Sequence, residues 1–61
     1  MHTLVFLIKV VHPNGREDYF LERPEQNFSD PQDAIEMVQQ QMQRKEPQAH
    51  EIIIRGYIRE R

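Results

Sequence analysis

Sixty-one residues with no cysteine and a formal net charge of −2 exclude a disulfide scaffold, a thiolate metal site and any overall attraction to nucleic acid or anionic lipid. A single domain of this size buries only about 60% of the surface its unfolded chain exposes, and oligomerisation is the reinforcement left open to it. The 38% hydrophobic and 30% charged content reads as a soluble globular chain, with a short apolar run that is neither signal peptide nor membrane span, so a cytoplasmic location is expected.

That run, Leu4 to Val11, is apolar at every position but Lys9 and rich in β-branched residues. It predicts a strand from Thr3 to His12 that is apolar on both faces. The following "HPNGR" predicts a type I turn with Pro13 and Asn14 at its corners and Gly15 in the left-handed conformation of a bulge, because Pro13 has no N–H to give a two-residue hairpin. His12 then faces Arg16, and the second strand, Glu17 to Arg23, falls into a register that sets Ile8 opposite Phe20 and Leu7 opposite Leu21.

Arg23-Pro24 ends this strand, and Phe28 in the next loop is expected to tuck under a helix. Asp30-Pro31 starts that helix, aspartate as N-cap and proline in the first helical position. Ala34, Ile35, Val38 and Met42 fall in one arc of about 100°, the width of a core-facing stripe. Glu36, Gln39, Gln40 and Gln43 form the solvated side, and Pro47 stops the helix. A third strand runs from about Glu51 to Arg59, with Ile52, Ile54, Gly56 and Ile58 on one face and Ile53, Arg55, Tyr57 and Arg59 on the other.

These elements predict an α+β fold of order ββαβ, a three-stranded antiparallel sheet in spatial order 2-1-3 with one helix packed on one face. Placing Phe6 beside Gly56 puts Leu4, Phe6, Ile8, Val10, Phe20, Ile52, Ile54 and Ile58 against the helix as the core. The opposite face carries Val5, Leu7, Val11, Tyr19, Leu21, Ile53 and Tyr57, and a chain with one helix has nothing further to lay over it. Five cations mix among them, Lys9, Arg23, Arg55, Arg59 and Arg61, against Glu17 and Glu51, so this face is expected to be +3 in a chain of −2.

An apolar face of that extent is the signature of an interaction surface. The residues expected to meet a partner are Val5, Leu7, Lys9, Tyr19, Leu21, Ile53, Arg55, Tyr57 and Arg59. The leading reading is a small non-enzymatic interaction or regulatory protein, a homodimer or a subunit of a larger protein partner. A compact adaptor, accessory subunit or inhibitor, including the kind phages encode, would have such a sequence. The competing reading is a single-stranded nucleic-acid-binding module that stacks bases on Tyr19 and Tyr57 beside Lys9, Arg55 and Arg59.

Catalysis finds little support. There is no cysteine nucleophile and no glycine-rich phosphate loop, and the hydroxyls of Thr3 and Ser29 are the only aliphatic ones, Ser29 belonging to the helix start. His12 and His50 are expected at the same end of the sheet as solvent-exposed turn residues. Two histidines fall short of the three or four ligands of a stable metal site, so neither metal nor cofactor is expected.

Overall fold

A computed structural model of the chain describes residues 3–60. β1 (Thr3–Val11) lies at the centre of a three-stranded sheet, flanked by β2 (Glu17–Glu22) and β3 (Glu51–Glu60), both antiparallel to it. The order is therefore ββαβ with strands arranged 2-1-3, as expected when the most apolar strand takes the position with two neighbours.

The hairpin register is the one its turn dictates: Leu7 pairs with Leu21 and Ile8 with Phe20. His12 N–H donates to the Arg16 carbonyl and Gly15 N–H to the His12 carbonyl, each at 2.8 Å. Asn14 Oδ1 accepts from Arg16 N–H at 2.9 Å, the local side-chain bond for which asparagine is favoured in turns. Gly15 has a φ of 88°, a conformation in which a Cβ would crowd the following carbonyl.

α1 (Pro31–Lys45) begins where Asp30 leaves extended geometry, with Asp30 Oδ1 accepting from Gln32 N–H at 2.9 Å. It ends where Glu46 N–H closes on the Met42 carbonyl. Asp33 in its first turn and Arg44 and Lys45 in its last complement the helix dipole. The predicted stripe faces the sheet: Ala34, Val38 and Met42 are fully buried against Leu4, Phe6, Ile8 and Val10. Ile35, Phe28, Ala49, Ile52 and Ile54 pack around that cluster half-buried.

Two core expectations are corrected. Phe20 points to the helix side but stands outside the packed cluster, because α1 lies over β1 and β3 and leaves β2 at the margin. Ile58 is not in the core at all; it is 62% exposed. The cause is a bulge. From Val11–Glu51 to Ile8–Ile54 the β1–β3 pairing advances one residue at a time, then Leu7 pairs with Gly56, so that Arg55 is an extra residue. Beyond it the expected pairing of Phe6 with Gly56 is corrected by one residue: Phe6 pairs with Tyr57, Val5 with Ile58 and Leu4 with Arg59. One inserted residue in a strand of period two exchanges the faces of everything after it.

Gln41 belongs neither to the apolar stripe of α1 nor to the solvated side read from the sequence. It sits on the helix flank facing β2 and is buried with Glu22. Gln41 Nε2 donates to Glu22 Oε2 and to the Arg23 carbonyl, both at 2.9 Å, while its Oε1 accepts from Glu25 N–H at 2.8 Å. Lys45 Nζ donates to the second oxygen of Glu22 at 2.7 Å. Every polar atom of this patch is used, so burying it is tolerated, and the loop after β2 is fastened to the helix.

Candidate interaction surface

Alternation along β1 sends Thr3, Val5, Leu7, Lys9 and Val11 to the face opposite α1. The strand registers place Glu17, Tyr19 and Leu21 of β2, and Glu51, Ile53, Gly56, Ile58 and Glu60 of β3, on the same side. Leu7, Tyr19, Leu21 and Ile58 are exposed, Leu21 at 65%, while Ile53 is half-buried between them. Four large apolar side chains exposed together on one sheet face exceed the single leucines that need no explanation.

The nine expected contact residues divide. Leu7, Lys9, Tyr19, Leu21 and Ile53 stand on the open face as expected, and Arg55 borders it at the bulge. Val5 is also on that face, but at 2% exposure it forms the floor of the surface and offers no side chain to a partner. Tyr57 and Arg59 are corrected to the helix face. The Tyr57 ring leans on Phe6 with centroids 6.0 Å apart, and Arg59 Nη2 donates to the Ser29 carbonyl in the loop before α1 at 3.1 Å. Their places on the open face are taken by Ile58 and Glu60. The signal that could have found them is Gly56, since an isolated glycine inside a strand pattern marks a bulge.

The expected charge of +3 is corrected too. With Arg59 on the other face and Glu60 on this one, the described residues place Lys9, Arg23 and Arg55 against Glu17, Glu51 and Glu60, which balance. Arg61 lies outside the described residues. Two of the cations are closed within the chain. Lys9 Nζ meets Glu17 at 3.0 Å with its side chain only 19% exposed, so its stem lies along the sheet rather than projecting from it. Arg23 bridges to Glu60.

Between Leu7, Leu21, Ile58 and the backbone at Gly56 this face is hollowed into an apolar groove of about 300 Å³, floored by Val5. The hollow exists because Gly56 has no side chain; a Cβ built there would have no neighbour within 4 Å.

The two histidines sit at the hairpin end of the sheet, where His50 N–H donates to the Val11 carbonyl at 2.8 Å. His50 is exposed, as expected for a turn residue. His12 is corrected: it is half-buried and its Nε2 lies 2.7 Å from Asp18 Oδ2, which also receives Arg16 at 3.2 Å. Among the described residues no three histidine or carboxylate side chains are grouped to hold an ion, and no helix is long and apolar enough to cross a membrane. No protein-family model, no curated protein and no solved structure matches the chain.

Proposed function

We propose that this is a small non-enzymatic interaction protein that self-associates through the open face of its sheet. The observation that carries the reading is the contiguous exposure of Leu7, Tyr19, Leu21 and Ile58 on the side of the sheet that α1 does not cover. The balanced charge of that face supports it further, since a neutral apolar surface suits another of its own kind. A nucleic-acid interface draws less support, with Tyr57 and Arg59 on the opposite face and Lys9 and Arg23 already paired to carboxylates.

The nine residues of β1 at about 3.3 Å each, across three strands about 4.8 Å apart, give a flat footprint of roughly 450 Å². Two copies would thus bury on the order of 1,000 Å² in total, the lower bound for a specific interface, which argues for a dimer of roughly micromolar affinity.

Light scattering up to about 100 μM, in low and high salt, tests this: the dimer should form with rising concentration and hold as salt increases, because apolar contacts do not weaken with screening. Leu7→Arg should return a monomer with an unchanged circular dichroism spectrum. A folded wild-type monomer throughout that range would overturn self-association and turn the face toward a foreign protein. Binding of a single-stranded oligonucleotide that falls steeply with salt would favour the nucleic-acid reading instead.

A further inference from the structure

Leu21, Leu7 and Gly56 form a single row across the three strands, Leu7 pairing with both of its neighbours. One end of the row is the most exposed apolar side chain of the chain's described residues, and the other is the hollow. From this, and resting on the self-association reading above, we infer that the open faces of two copies pack about a two-fold axis running along β1, with Leu21 of each copy seated in the groove at Gly56 of the other.

The choice of axis follows from shape. A two-fold along β1 superposes the two rows in reversed order, so Leu21 meets the partner's Gly56 and Leu7 meets the partner's Leu7. The other in-plane axis, along the row itself, would set leucine on leucine at one end and leave facing hollows at the other, and a dry hollow forfeits its contacts on both sides. The strands of the two sheets then run nearly aligned, the common arrangement of face-to-face sheets. The contact is isologous and closes at two copies.

Charge permits the same arrangement. Tyr19 comes over the partner's Ile53, and Lys9 comes over the partner's Lys9, but each ammonium is held by Glu17 of its own chain at 3.0 Å. The row Glu17, Val11 and Glu51 sets Glu17 over the partner's Glu51 at the hairpin end, a like-charge meeting that is reduced because Glu17 is neutralised by Lys9 of its own chain. Pairing by strand edges is disfavoured by both outer strands. β3 is interrupted at mid-length by its bulge and by Arg55, and β2 is six residues long and carries Glu17, Asp18 and Glu22; bulges, charges and shortness are the means by which sheet edges avoid joining.

Exchanging the knob and the hole tests this seating. Gly56→Leu, whose Cβ would meet no neighbour within 4 Å, should fill the groove and weaken the dimer at least tenfold, with the circular dichroism spectrum of the dilute monomer unchanged. Leu21→Ala should weaken it as well, by removing the side chain that the groove receives. The double variant Leu21→Ala with Gly56→Leu puts the large side chain on β3 and the space on β2, which the two-fold along β1 brings together again, so it should recover at least tenfold of the affinity that Gly56→Leu loses. Gln40→Ala with Gln43→Ala, on the solvated side of α1, should leave the dimer unchanged. A Gly56→Leu protein that dimerises like the wild type, or a double variant that recovers nothing, would overturn this seating while leaving self-association standing. A wild-type monomer would overturn both.

Discussion

Arg23 and Glu60 meet across the central strand. The guanidinium donates to both carboxylate oxygens, from Nη2 at 2.8 and 3.0 Å and from Nε at 3.0 Å. Arg23 follows β2 and Glu60 lies in β3, the strands on either side of β1, so the pair spans β1 on the open face near Thr3 and Val5. Here a charged bridge does on one face what α1 does on the other: together with Leu7, Leu21 and Ile58 it keeps Val5 out of water. A double-mutant cycle of Arg23→Ala and Glu60→Ala should show a coupling of no more than about 1 kcal/mol, as for other solvent-exposed ion pairs. That coupling should shrink in about 1 M salt, and one that salt left untouched would show the pair to be dry.

The bulge at Arg55 assigns opposite duties to adjacent residues. Tyr57→Ala removes a ring from the Phe6 side of the sheet, so it should lower the denaturation midpoint while the dimer persists. Ile58→Ser removes an exposed side chain from the open face, so it should weaken the dimer and leave the midpoint of the dilute monomer nearly unchanged. Paired denaturant titration and light scattering on the two variants decide the matter, and the reverse outcome would restore unbroken alternation along β3.

Gln41 holds three groups that have no other role for it to share. Gln41→Leu leaves Glu22 Oε2, the Arg23 carbonyl and the Glu25 N–H to find other partners, and stability should fall by about 1 to 3 kcal/mol. Gln41→Glu sets a second carboxylate against the Glu22 carboxylate, a like-charge contact that is relieved when the new side chain is protonated. A protonated carboxyl can donate only one of the two bonds that Gln41 Nε2 makes, so the penalty should be smallest at low pH and grow as pH rises through and beyond the ordinary glutamate value of about 4.3. Urea midpoints measured between acid and neutral pH should diverge from wild type in that direction only.

The two glycines separate conformation from space. At Gly15, with φ of 88°, alanine should cost about 1 to 2 kcal/mol through backbone strain. At Gly56, where φ is not positive and a Cβ finds open space, alanine should be neutral or stabilising by up to about 1 kcal/mol in the monomer, through reduced freedom of the unfolded chain. Equal losses at both sites would mean that the hollow at Gly56 is not open.

The elements that local chemistry controls were legible from the residues. Pro13, Asn14 and Gly15 admit one turn, and that turn fixes which residues of β1 and β2 face each other. Asp30-Pro31 admits one helix start, and the spacing of Ala34, Ile35, Val38 and Met42 selects the buried side of α1. The apolar character of Leu4 to Val11 on both faces placed β1 at the centre and foretold an uncovered surface. Tertiary pairing decided the rest. Whether β3 keeps strict alternation depends on how it is drawn along β1, more than forty residues away in sequence, and the extra residue at Arg55 exchanged Tyr57 and Arg59 for Ile58 and Glu60 on the open face. The helical spacing gave Gln41 no role because its partners, Glu22, Arg23 and Glu25, come from a different part of the chain. The neutrality of the open face arose the same way: alternation alone counts charges, but only the folded strands bring Glu60 to Arg23 and lay Lys9 against Glu17.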